Sequence, residues 1–187
     1  MAKMASSHGL AVPAATKHGV RVITRVVDYG GLFHDDVRPV HNFRKEDHRV
    51  FRPAGWVEAG CEKIERMRPI AERHGLSMLQ LACQWNLAHP PVQSVIPTLI
   101  QEAGADAKPV EDKIRDLANL PAENLLTEDE VREILEIGNN QGCMKLKGGS
   151  PAHQGEALAD QWPLHPELAD VAQRWGIRPD QDLVCTM

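Results

Sequence analysis

Residues 64–97 read IERMRPIAERHGLSMLQLACQWNLAHPPVQSVIP. Ile64, Met67, Ile70 and Ala71 recur on one helical face until Gly75, a residue suited to the left-handed position that closes a helix. Ser77 can cap a second helix, which carries Met78, Leu81, Ala82 and Trp85. The apolar, β-branched run that follows is a strand, Val92 to Pro97 within a segment reaching Ile100. The stretch is therefore two helices separated by a glycine break and delivered directly into a strand.

Upstream, residues 10–18 read as a short helix with Pro13 near its start and Gly19 at its close. VRVITRVV, residues 20–27, is compact and β-branched, and predicts the first strand. Residues 28–55 are rich in Gly, Pro, His and charge, too long for an ordinary connection, and so are either a functional loop or a mobile one. Downstream of the second strand, Pro109 is placed as the first residue of a helix over 109–120. Thr127-Glu128-Asp129-Glu130 is a capping box for another helix, whose buried face is Val131, Ile134, Leu135 and Ile137 and whose end is Gly138. Residues 139–166 read as a tail crossing a surface, pinned by Cys143, Met144, Leu146 and Trp162, before a last short helix at 166–175.

Composition sets outer limits. The 187 residues are 42% hydrophobic, enough for one ordinary core. A net charge of −5 with no basic patch argues against a general nucleic-acid or anionic-membrane surface. Cys61, Cys83, Cys143 and Cys185 form no CxxC pair and read as reduced thiols. The N-terminal residues lack a signal-peptide core, and no run approaches the ~20 apolar residues of a membrane span, so a cytoplasmic chain is expected.

The order strand, helices, strand, helices is a βαβ pattern with parallel strands. Two such strands alone leave both outer edges unpaired. A closed eightfold barrel needs about 250 residues. The layout therefore predicts a piece of something larger, or a sheet completed by another chain.

The order of residues 64–97 resembles the last helix and last strand of the aldo/keto reductase barrel, whose members often read "IA...G.S..QLAL.W.L......VIPG". GVRVITRVVDYGGLF, residues 19–33, is similar to that family's seventh-strand segment, commonly "GV.VIAR.PL..GLL". The resemblance runs from about residue 10 to residue 137. It implies an α/β fold, the C-terminal part of a (β/α)8 TIM barrel, with about two parallel strands and surrounding helices. The corresponding domain division is 1–137 for the partial barrel and 138–187 for a tail with one short helix.

The same resemblance implies NADPH as cofactor and reversible hydride transfer to a carbonyl or sugar substrate. Arg25 falls where members carry a residue facing the nicotinamide. Gly30, Gly31 and Leu32 fall in the loop that approaches the pyrophosphate, where glycine allows close approach of backbone N–H groups to phosphate oxygens. Thr98 to Lys113 resembles the segment holding the adenosine end, with Lys108 and Lys113 as candidates for a 2′-phosphate. Asp112-Lys113 stands where members usually read Glu-Asn, and Gln101 to Asp106 adds acids to the same loop. The family's tyrosine, lysine, aspartate and histidine belong to the first half of the barrel and match no position here. Tyr29, the one tyrosine, lies on the seventh-strand loop. No catalytic residue is assigned.

Blander readings stand beside these. The glycines can be a simple turn, and Arg25 can pair with Asp28 or another surface acid. His34, Asp35, Asp36, His41, Asp47 and His48 follow no standard metal spacing and read as a solvated or partner-facing loop. Trp56, Trp85, Trp162 and Trp175 read as packing residues. Cys61 or Cys83 with His74 would be a nucleophile pair only if they converge. The expected function is an NAD(P)H-dependent oxidoreductase that is catalytically incomplete alone. The alternative is a non-enzymatic nucleotide-binding or interaction module, with an oligomer or partner chain completing the sheet.

Overall fold

The computed structural model describes residues 11–39, 43–45, 47–52, 55–104, 107–138, 166 and 169–178. After a first helix, α1 (Ala11–Lys17), the chain enters β1 (Val22–Arg25); β2 is Val92–Ile96. They pair in parallel, with Val22 opposite Val92, Ile23 opposite Ser94, Thr24 opposite Val95 and Arg25 opposite Ile96. Among the described residues these two strands are the whole sheet. β1 is shorter than the β-branched run suggests. Val26 takes φ +58°, a conformation that a β-branched side chain rarely adopts, and this turns the chain off the ladder.

The connection between the strands carries α2 (Trp56–Arg73) and α3 (Met78–Leu87). Ser77 caps α3 as expected: its Oγ accepts from Gln80 N at 3.1 Å, while Gln80 Oε1 accepts from Ser77 N at 3.1 Å. Every residue of α3 from Met78 to Asn86 is buried, the signature of a helix enclosed on all sides. One side meets the sheet through Leu79 and Cys83, which cluster with Val27 and the half-buried Val95, Leu117 and Leu120. The other side gives Met78, Leu81, Ala82 and Trp85 to the main core, with Ile64, Met67 and Ile70 of α2. Val95 is only partly buried because a two-stranded sheet covers it incompletely.

Past β2 come α4 (Val110–Ala118) and α5 (Glu128–Gly138), with α6 (Ala169–Arg174) further on. Pro109 caps α4 instead of opening it. The polar side chains of α3 fix the linker between α4 and α5. Gln84 Nε2 donates to Pro121 O at 3.1 Å and Glu123 O at 3.0 Å, and Gln84 Oε1 accepts from Leu125 N at 2.7 Å. Ile134 and Ile137 of α5 enter the main core, and Trp85 Nε1 donates to Val131 O at 2.9 Å. Leu135, expected on that face, is exposed.

Much of residues 28–37 is packed into the protein. Leu32, Phe33 and Val37 are buried in the main core, and Leu32–His34 forms a 3-10 turn. Gly60 of α2 makes this possible: a Cβ there would come within 2.3 Å of Leu32 Cδ1. A second 3-10 turn spans His48–Phe51.

Of the tryptophans, Trp56 and Trp85 pack in the core, but Trp175 is 70% exposed. It stands past the last helical residue, in the turn that Gly176 closes. Trp162, Cys143, Met144, Leu146 and Cys185 lie outside the described residues, as does His41. No helix among the described residues is long and apolar enough to cross a membrane.

The capping box of α5 is present, with Glu130 N donating to Thr127 Oγ1 and Thr127 N donating to Glu130 Oε2. Glu130 also receives Arg73 and His74 from the end of α2, which docks the two helices. Burial pushes its carboxyl up, but the bonds from Thr127, His74 and Arg73 outweigh this and bring it to about 2. A depressed carboxylate contributes stability above its unfolded value of 4.5 and loses it as pH falls toward about 2. Chemical denaturation of the wild type and Glu130→Gln should therefore differ at pH 6 and converge near pH 2.5.

Leu81→Ala removes a fully buried side chain from the helix between both cores. It should cost roughly 2–5 kcal/mol in urea unfolding. A negligible loss would show that this face is not closed in solution.

Candidate functional site

The turns after β1 and β2 leave from the same end of the parallel pair and are tied together by one carboxylate. Asp28, fully buried, accepts from Gly31 N through Oδ2 at 2.6 Å and from Thr98 N through Oδ1 at 2.7 Å. Gly31 and Thr98 are thus brought together through an aspartate. The alternative pairing of Asp28 with Arg25 is absent: Arg25 is exposed at the C-terminal end of β1.

Further bonds extend this seam. His34 Nε2 lies 2.7 Å from Thr98 O, and because a carbonyl only accepts, this nitrogen carries the proton. Lys108 Nζ donates to His34 O at 2.7 Å, and Lys108 N donates to Asp36 Oδ2 at 3.2 Å. Lys113 is buried, its Nζ 2.6 Å from Asp36 Oδ2 and donating to Ile100 O at 2.7 Å. Lys113 therefore holds the ledge from inside and does not project to a surface phosphate. Asp112 is exposed on α4 and pairs with Arg115.

Arg49, from the second 3-10 turn, closes the seam over the glycines. Its Nη1 donates to Gly30 O at 3.0 Å and Glu102 Oε1 at 2.6 Å, and its Nη2 to Glu102 Oε2 at 2.9 Å and Asp47 Oδ2 at 2.6 Å. Burial disfavours its charge, but the bonds to Glu102 and Asp47 more than reverse this and raise its pKa. Gly30 and Gly31 take φ +70° and +97°, conformations that glycine adopts without strain. A Cβ on Gly31 would stand 3.0 Å from Arg49 Nη1 and 3.2 Å from Glu102 Oε1. Leu32 turns inward to the core.

The structure thus brings Gly30, Gly31, Thr98 and Lys108 onto one ledge, buries Leu32 and Lys113 behind it, and leaves Arg25 and Asp112 exposed to either side. Among the described acidic residues of the first loop, Asp35 pairs with Arg68 at 3.0 Å, and Asp47 with Arg49. Among the described residues no His, Cys, Asp and Glu cluster is arranged to hold a metal. The thiols and His74 do not converge. Cys61 Sγ donates to Val37 O at 3.6 Å, burial pushes Cys83 up to about 12, and His74 is held by Glu130.

Sequence reasoning missed Asp28, Arg49 and Glu102 as the residues that organise the ledge. Glu102 was visible only as an acid in a loop. Arg49 and Asp28 carry no spacing that marks them, because their partners lie 53 and 70 residues away.

Fold and ledge define an α/β protein of the parallel-strand class, whose ligand loops collect at the C-terminal ends of the strands. A family model described as "Aldo/keto reductase family" matches residues 3–139. The chain belongs to the aldo/keto reductase family, a family of oxidoreductases. No curated protein and no solved structure matched it.

Asp28→Asn keeps the shape but turns an NH2 toward one of the two backbone donors. Leaving a buried donor without an acceptor costs roughly 1–3 kcal/mol, and urea unfolding should register that loss. Hydrogen exchange should quicken at both Gly31 and Thr98; a change at one loop alone would show that the seam does not depend on Asp28.

Proposed function

We propose that this chain is the nucleotide-holding, C-terminal portion of an aldo/keto reductase barrel, with β1 and β2 corresponding to its seventh and eighth strands. The cofactor is NADPH, which supplies a hydride when bound, and the substrate class is a carbonyl compound or sugar. Support comes from the ledge itself, where two loops far apart in sequence are joined through Asp28 at the end of the sheet where this family's cofactor loops lie.

The residues fit this group in part. Gly30 and Gly31 give the loop its tight turn but are buried, with the Gly31 N–H held by Asp28, and Thr98 and Lys108 sit beside them. Arg25 shares the open face of the sheet with Ile23 and Ile96, which are 63% and 54% exposed. In a closed barrel that face would be the interior, which supports Arg25 as the nicotinamide-facing residue. Lys113 does not fit the 2′-phosphate role, since Asp36 neutralises it out of solvent. Asp112 and Lys108 remain at the adenosine end.

Acid-base chemistry is where the chain falls short. Proton donation needs a group within hydrogen-bond reach of the substrate oxygen, and the family's donor set matches no residue here. Tyr29 is half-buried against Trp56, ring edge to face at 5.9 Å. Without a floor for the nicotinamide, binding energy from the phosphate end cannot orient the reacting end.

A second reading is favoured by the open face and its exposed Ile23 and Ile96: an interaction module whose sheet a partner chain completes. Sedimentation as a stable dimer without nucleotide affinity would select it.

Calorimetric titration of the purified chain with NADPH should give weak binding, and NADPH oxidation with a panel of aldehydes and sugars should show no turnover. Turnover abolished by Tyr29→Phe would overturn this reading, because it would make the seventh-strand loop the source of the proton.

A further inference from the structure

The cations around the glycine loop are unequally satisfied. Arg49 is chelated by Asp47 and Glu102, Lys113 is paired with Asp36, and Lys108 Nζ is bound to a carbonyl. Arg52, one helical turn beyond Arg49, is different. Among the described residues its side chain donates no hydrogen bond and pairs with no carboxylate.

Its position is nonetheless fixed. The guanidinium lies 4.3 Å from the Trp56 ring centroid and 5.4 Å from that of Tyr29. It also covers Gly30: a Cβ there would be 2.9 Å from Arg52 Nη2. Stacking on aromatic faces holds the plane of an arginine while leaving its N–H edges to form bonds. Burial lowers the pKa of Arg52 and the nearby charge of Arg49 adds to this, while Tyr29 and the carboxylates of Asp28 and Asp47 offset it only in part. A half-buried guanidinium that has no paired carboxylate among the described residues but is positioned over a glycine is organised to receive an anion.

We infer that Arg52 is the anion-contacting side chain of the glycine loop, meeting a phosphate or diphosphate group with the N–H groups it does not use within the protein. This rests on the reading of that loop as a nucleotide site, and it moves the charge contact from Lys113 to a residue outside both cofactor segments. The planar fork of arginine matches two phosphate oxygens at once. The diphosphate can belong to a nucleotide or be free in solution.

Inorganic pyrophosphate, ADP and NADPH, each titrated calorimetrically at low salt into wild type, Arg52→Ala, Arg52→Lys and Arg52→Gln, separate these cases. Pyrophosphate should bind the wild type and lose on the order of tenfold or more in affinity with Arg52→Ala. Arg52→Lys should recover part of the loss, since it restores the charge without the fork. Circular dichroism checks folding, and Arg52→Gln carries the test if the alanine variant does not fold. Pyrophosphate bound equally by all variants, or not at all by the wild type, overturns the inference. NADPH binding that is unchanged by any Arg52 variant also overturns it, while leaving the nucleotide reading standing. Pyrophosphate bound through Arg52 with no affinity for ADP or NADPH supports the inference and removes the nucleotide reading.

Discussion

A single buried carboxylate sets the geometry at the end of the sheet. Asp28 accepts one backbone N–H from each of the two loops, Gly31 and Thr98, with its two oxygens divided between them. Charge-assisted bonds of this kind are short and directional, and the bonds of His34, Lys108 and Arg49 across the same seam add to them. Val26 leaves the extended region to turn the chain, Tyr29 and the two glycines take positive φ, and Leu32 drops into the core. These local departures are tolerated because the carboxylate and the core over-determine them.

The same logic extends outward as charge neutralisation inside the protein. Asp36 with Lys113 and Glu102 with Arg49 are buried ion pairs, and the partly buried Asp47 adds a second carboxylate to Arg49; Lys113 and Arg49 also donate to backbone carbonyls, while Asp36 Oδ1 is buried without a hydrogen-bond partner among the described residues. Removing a partner from such a pair is costly, because the survivor is left charged in a poorly solvating medium. The ledge is thus built from charged residues that resemble ligand-binding groups in sequence and serve as structural ties in the fold. Arg52 differs: it rests on aromatic rings and is paired with no carboxylate among the described residues.

Beneath the ledge, α3 is the common wall of both cores. Its apolar residues face the sheet on one side and α2 with α5 on the other, while Gln80 holds the last turn of α4 and Gln84 the backbone after it. The opposite face of the sheet carries Ile23, Arg25 and Ile96 in the open. One face is therefore finished to native density, and the other has the composition of a surface that in a barrel would look inward.

Much of the fold was legible in the sequence because it rests on short-range patterns. Helical spacing from Ile64 to Trp85, Ser77 and Thr127 as caps, and β-branched runs at Val22 and Val92 act over three or four residues, so each can be read without knowing what lies across the molecule. The family was legible for the same reason, since its motifs are contiguous. What only the tertiary structure decided is which polar residues face each other. The pairing of Asp28 with Thr98, Arg49 with Glu102 and Asp36 with Lys113 spans 53 or more residues in sequence. Whether Lys113 meets solvent or a buried aspartate depends on how α4 docks against the first loop. An ionisable side chain takes its role from the charges and water around it, and those are fixed only when the chain has folded.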